Sequence, residues 1–280
     1  MTRGGTIRLT APAKVNLNLK ITGRREDGYH LLNSIVVFTA FGDQIDLSPA
    51  SSDSVRVSGP FAASLTPPGD NICLRALSAF REAGGKADPL AIHVEKQIPV
   101  GAGLGGGSSD AAAILRHLNG VSAHPLTEER LAGVALSLGA DVPVCLAGTA
   151  QRMQGIGEIL TPLDPPPHGH LVLARPDAML ATGDVFRRWQ QAGPSGAAPD
   201  TGSRPDRIIA AGNDLEAAAT TLVPAIGKVL ASLRDCDGVV AAQMSGSGTA
   251  CFGLFGDADA AGRAAQRLAD SGLWAVATGF

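Results

Sequence analysis

The chain has 280 residues, 45% hydrophobic and 18% charged, with a formal net charge of −3. This composition excludes wholesale disorder and a general nucleic-acid binder, and no apolar run of about 18 residues is present to form a membrane span. Gly is abundant at 35 while Tyr occurs once, which points to tight turns and close approaches of backbone to a ligand. Cys73, Cys145, Cys236 and Cys251 form no CxxC pair and sit among apolar residues. They read as small buried thiols in a reducing compartment. The N-terminus carries no apolar h-region, so the expected location is the cytoplasm.

In chain order, Val15, Leu17, Leu19 and Ile21 alternate with Asn16, Asn18 and Lys20, predicting a strand with one apolar face and one polar, solvated face. A turn over TGRREDG follows. Leu31 to Phe38 reads as a buried strand, and two further alternating stretches center on Ile45 and Val55. Asn71 caps a helix with an apolar stripe at Ile72, Leu74, Leu77 and Phe80, ending at Gly84 and Gly85. Leu90, Ile92 and Val94 form another strand. A glycine-rich loop from Gly101 to Gly107 leads into a helix that opens at Ser108, Ser109 and Asp110 and ends near Asn119. A third helix starts at Thr127, with Glu128 and Glu129 in its first turn, and stops at Gly139.

The second half opens on a proline-rich connector at Leu163 to His168. Strands are predicted at 171–173, 239–244, 251–255 and 273–278, and helices over 215–233 and 257–271. The stretch Gly193 to Asp206 reads as a surface loop. Because strands come in groups, the fold class expected is α+β. Two domains are expected, 1–152 and 153–280, with the final strand a candidate to return to the first.

The segment PVGAGLGGGSSDAAAIL, Pro99 to Leu115, is the most informative. Its glycines let several N–H groups face one concavity, and the helix that follows has free amides in its first turn. Together they suit an anion, most naturally a phosphate. Gly101, Gly103 and Gly106 also satisfy GxGxxG, but the expected second strand with an acid about 20 residues on is replaced by the helical Thr127–Leu131 stretch. No P-loop or protein-kinase signature is present. A nucleotide-dependent oxidoreductase remains a competing reading, with loss of NADH fluorescence on binding as its test.

The loop, taken with the Lys-x-Asn strand, resembles the GHMP kinases. So do DGYH at Asp27–His30, GADVP at Gly139–Pro143, GIGE at Gly155–Glu158, GNDLE at Gly212–Glu216 and MSGSGTACF at Met244–Phe252. The resemblance implies a two-domain α+β small-molecule kinase that uses ATP with Mg²⁺. It implies Asp141 as the catalytic base and Lys14 as the charge on the transferring phosphoryl group. Pro99, Val100, Gly101, Ala102, Gly103, Leu104, Gly105, Gly106, Gly107, Ser108 and Ser109 would hold the nucleotide, with Lys96 a further contact. The DGYH segment narrows the likeness to a branch acting on a small cytidyl-bearing alcohol in isoprenoid precursor synthesis. Tyr29 would stack on the pyrimidine, His30 would bond its edge, and Asn16, Thr182 and Phe186 would complete the substrate site. MSGSG would pack on the phosphate loop. Alternatives are a family member acting on another small alcohol, or a sensor without turnover. No metal ligand is legible, no nucleic-acid or membrane partner is expected, and the oligomeric state stays open between monomer and homodimer.

Overall fold

The computed structural model describes residues 5–64, 71–190 and 202–280. In chain order the elements are β1 (Ile7–Asn16), β2 (Lys20–Arg24), β3 (His30–Pro49), β4 (Ser54–Ser58), α1 (Ile72–Glu82), β5 (Leu90–Glu95), α2 (Gly106–Val121), α3 (Glu128–Leu138) and α4 (Val142–Ala147). They continue with β6 (Gln151–Gly155), β7 (Ile159–Pro162), β8 (His170–Arg175), α5 (Thr182–Gln190), α6 (Pro205–Ala210), α7 (Glu216–Leu222), α8 (Pro224–Arg234), β9 (Val239–Met244), β10 (Cys251–Phe255), α9 (Ala258–Asp270) and β11 (Trp274–Gly279).

The chain forms two compact units. The first holds residues 1–13, 42–100 and 105–148, and the second holds 14–41, 101–104 and 149–280. The chain therefore passes between the units within β1, within β3 and within the glycine-rich loop itself.

In the first unit the distal part of β3 pairs antiparallel with β5, which pairs parallel with β4. Helices α1 to α4 pack on one another. Helix α1 follows from its sequence: the Asn71 side chain accepts the Cys73 N–H at 2.9 Å, and Cys73, Ala76, Leu77 and Phe80 turn a buried stripe inward. Thr127 caps α3 in the same way, through the Arg130 N–H.

In the second unit the proximal part of β3 pairs with β2 and with β6, and β7 pairs with β6. A separate antiparallel sheet runs β11–β8–β10–β9. The final strand, considered for a return to the first domain, pairs with β8 instead. Helices α8 and α9 pack on this sheet. The buried face of α9 is Ala260, Ala261, Ala264, Ala265 and Leu268, so its backbone can lie close to the strands.

Three expectations need correction. The Lys-x-Asn stretch is neither one strand nor half-solvated: β1 ends at Asn16 and β2 begins at Lys20, and Lys14, Asn16, Asn18 and Lys20 are all buried. The α2 helix begins at Gly106, so Ser108, Ser109 and Asp110 lie inside its first turns. The hairpin of β6 and β7, flanking the GIGE segment, was not anticipated. The surface loop read over Gly193–Asp206 lies outside the described residues as far as position 201.

Candidate active site

The loop obtains its shape from alternate glycines. Gly101, Gly103 and Gly105 adopt φ of 67°, 78° and 66°, while Gly106 and Gly107 are already helical. Such left-handed backbone costs an L-residue about 1–2 kcal/mol, which explains glycine at every second position. The first intrahelical bond of α2 runs from Ser109 N–H to Gly105 O, leaving the amides of residues 106–108 without intrahelical acceptors. A helix of 16 residues presents there the positive end of its dipole. Ala102 and Leu104 bury their side chains, so they offer only backbone. Ser108 is half-buried, whereas Ser109 is buried and donates its hydroxyl proton to Pro12 O at 2.7 Å. Pro99 is buried and Val100 half-buried ahead of the loop.

In the second unit, residues 101–104 rest on the turn between β9 and β10. Ala250 N–H donates to Ala102 O at 2.9 Å, and Ser245 Oγ donates to Gly103 O at 3.3 Å. A Cβ on Gly103 would fall 2.8 Å from Ser245 O and 2.9 Å from Gly248 O, so no side chain fits. The MSGSG motif thus packs on the loop, as the resemblance implied. Asn213, from the GNDLE segment, holds that turn by donating from Nδ2 to Met244 O and Gly246 O, both at 2.8 Å.

Lys14 and Asn16 enter the same neighbourhood from β1. Lys14 N–H donates to Leu104 O at 2.9 Å, and Asn16 N–H donates to Ser245 Oγ at 3.1 Å. The Asn16 amide is oriented: Nδ2 donates to Ser34 Oγ at 2.8 Å, and Ser34 passes its own proton to Asn18 O. That leaves Asn16 Oδ1 buried with no hydrogen-bond partner, an acceptor suited to a hydroxyl. Asn18 is structural on one side, accepting the Ile35 N–H at 2.7 Å.

Tyr29 is 60% exposed, and its ring stands in solvent. The His30 imidazole lies flat on Phe186, with ring centroids 4.8 Å apart and planes 17° apart, and meets Trp189 edge-on at 5.5 Å. Burial, aided by the charge of Arg24, lowers the His30 pKa and favours the neutral ring. Gln190 Nε2 lies 3.1 Å from His30 Nε2. Thr182, at the start of α5, bonds its hydroxyl to Ser247 Oγ at 2.9 Å. Trp189 and Gln190 were missed by the sequence reading. The signal available was the spacing of three from Phe186 on a helix.

Asp141 belongs to the first unit. It directly precedes α4, at φ −86° and ψ −11°, and its side chain makes no N-cap bond to that helix. Lys96, in the same unit, is neither solvated nor directed at solvent: it is 3% exposed and bonded to the carboxylates of Asp43 and Asp110. Neither aspartate was assigned this role from the sequence, because their separation along the chain hides the contact.

A dinucleotide fold is not present at GxGxxG. After α2 come α3 and α4, and the next strand, β6, is antiparallel to β3. Among the described residues no group of three His, Cys, Asp or Glu side chains could hold a metal ion, and no helix is long and apolar enough to cross a membrane. The four cysteines are buried and form no disulfide.

The chain matches the family model for the GHMP kinases N terminal domain over residues 71–149 and that for the GHMP kinases C terminal over 202–272. It belongs to the GHMP kinases and is a small-molecule kinase. Within that class, it is 44% identical over 277 residues to the 4-diphosphocytidyl-2-C-methyl-D-erythritol kinase of Paramagnetospirillum magneticum, covering 96% of each chain. It is 45% identical to the enzyme of the same name from Brucella abortus, covering 95% of this chain and 92% of the other. A crystal structure of 4-(cytidine 5'-diphospho)-2C-methyl-D-erythritol kinase superposes with a TM-score of 0.80 at 35% identity, covering 98% of each chain. Homoserine kinase from Cytophaga hutchinsonii shares the fold, with a TM-score of 0.69 at 18% identity over 100% of this chain and 95% of that one.

Proposed function

We propose that this protein transfers the γ-phosphoryl group of ATP to a hydroxyl of 4-diphosphocytidyl-2-C-methyl-D-erythritol, in the cytoplasm, as a step of isoprenoid precursor synthesis. The observation that carries the substrate is similarity along nearly the whole chain to enzymes of that name. The geometry agrees with it in the neutral His30 beside an exposed Tyr29 and in the unpartnered Asn16 Oδ1.

In this reading the amides of the glycine-rich loop and of the α2 N-terminus bind the ATP phosphates, and Mg²⁺ arrives with the nucleotide. Asp141 takes the proton of the acceptor hydroxyl, whose oxygen attacks the γ-phosphorus as the bond to ADP breaks. Lys14 stabilises charge on the transferring group. Asn16 orients the acceptor through a hydroxyl. Tyr29 stacks on the cytosine and His30 bonds its edge. Phe186 acts through His30, since the imidazole covers one face of its ring. Thr182 sits at the turn it shares with Ser247. Lys96 acts on the nucleotide only through the loop it supports.

The test is ADP release with ATP and Mg²⁺, comparing the cytidyl substrate, its uridyl analogue, mevalonate and homoserine. The cytidyl compound should support turnover and the others should not. Turnover on mevalonate or homoserine alone would identify a family member with another acceptor. Asp141→Asn should keep ATP affinity and lower kcat by roughly 10²–10⁴-fold, the range for loss of a general base. A variant with half the wild-type kcat would remove Asp141 from the mechanism.

A further inference from the structure

Lys96, Asp43 and Asp110 form a buried cluster in the first unit that the kinase chemistry does not use. Asp43 Oδ1 accepts two backbone N–H groups, from Gln97 at 2.6 Å and Ile98 at 2.8 Å. Its other oxygen takes the Lys96 ammonium, which also donates to Asp110 Oδ2 at 2.8 Å. Ile98 is the last residue before the loop segment that begins at Pro99, and Asp110 stands in the second turn of the helix that ends it. The cluster therefore ties the chain entering the loop to the helix leaving it. A Cβ on Gly106 would lie 3.3 Å from Lys96 Nζ, so the ammonium sits directly beneath the first residue of α2.

The charges do not balance. Two carboxylates share one ammonium, and Asp110 Oδ1 is buried with no partner. Both Asp43 oxygens have donors, two amides and the lysine, whereas Asp110 has a donor on one oxygen only. The surplus charge therefore falls on Asp110. Burial, reinforced by the charge of Asp43 and a hydrogen bond with it and opposed by Lys96, pushes its carboxyl up to about 7. The same carboxylates outweigh burial at Lys96 and keep it charged. From α1, the thiol of Cys73 faces the cluster and is held neutral by burial and by the two aspartates.

We propose that Asp43, Lys96 and Asp110 are a proton-sensitive clasp beneath the phosphate loop, with Asp110 a positioning residue whose neutral form favours nucleotide binding. The proposal rests on the reading of this loop as the ATP site. An ionised Asp110 leaves a net negative charge under the helix end where anionic phosphates bind, and a protonated one leaves the clasp neutral. ATP binding should then be linked to proton uptake.

The experiment is isothermal titration of the full-length protein with ATP at saturating Mg²⁺, between about pH 6 and pH 8.5, in buffers of different ionisation enthalpy. Magnesium-bound ATP is deprotonated across this range. Wild-type affinity should fall about three- to tenfold as pH rises through 7, with a fraction of a proton taken up on binding. Asp110→Asn should bind with a flatter profile and without that uptake. Parallel profiles and equal proton counts in the two proteins would overturn the clasp. So would wild-type binding near pH 7 with no proton uptake, a result that needs no variant. Failure of the wild type to bind ATP at all would instead overturn the kinase site, and the clasp with it.

Discussion

Each unit buries a lysine against aspartate, and the two arrangements differ in one respect. In the second unit Lys20 faces Asp214, whose second oxygen accepts the Ile21 N–H at 2.9 Å. The pair joins β2 to the segment before α7. In the first unit Lys96 meets two carboxylates, and one carboxylate oxygen of Asp110 is unsatisfied. The Lys20–Asp214 pair is a structural link, in which desolvation is offset by attraction and hydrogen bonds. The unbalanced cluster has two protonation states of comparable free energy near neutral pH. It lies beneath the first residue of α2. Burial is common to both sites; what sets the Lys96 cluster apart is the unsatisfied carboxylate oxygen of Asp110.

Removing the cation tests this difference most strongly. Lys96→Met leaves two buried carboxylates facing each other and should destabilise the protein by about 3–5 kcal/mol at pH 8, measured by urea denaturation. The loss should shrink at pH 5, where the carboxylates can share a proton. Lys20→Met leaves one carboxylate that keeps its backbone donor, and about 3 kcal/mol is expected, with less pH dependence. Equal losses with equal pH dependence would erase the distinction between the two sites.

A third test reads pH alone. The folded value of Asp110, about 7, lies above the ordinary carboxylate value of 3.8, so between these limits the folded state holds a proton that the unfolded state has lost. Stability contributed at this position is greatest below about pH 4 and falls as pH rises to about 7, by no more than ~1.4 kcal/mol per pH unit. The difference in melting temperature between Asp110→Asn and wild type should therefore grow in favour of the variant across that window. A difference that stays constant from pH 5 to pH 8 would show that Asp110 keeps one protonation state throughout.

The local elements were largely legible. Asn71 and Thr127 cap the helices that their sequence signals announce, since a cap and an apolar stripe are properties of a few consecutive residues. The glycine-rich segment declared an anion site for the same reason. The reading failed where a second layer intervened. The alternation at residues 14–21 suggested a wet face, yet Asn18 is fully buried, its Oδ1 accepting the Ile35 N–H of β3. The role of Phe186 was partly legible, but its partner is a histidine from a distant strand.

The sequence by itself determined the family and the left-handed glycines ahead of α2, because each depends on short segments. Tertiary structure alone decided the states of the charged groups. Lys96 follows a strand, and nothing near it in the chain says whether it is solvated. Asp43 and Asp110 come from remote segments to surround it, and only their convergence creates a buried surplus charge. A short segment specifies dihedral angles and amide positions. Desolvation and charge balance depend on everything within a few ångströms, and folding assembles that neighbourhood from residues far apart in the chain.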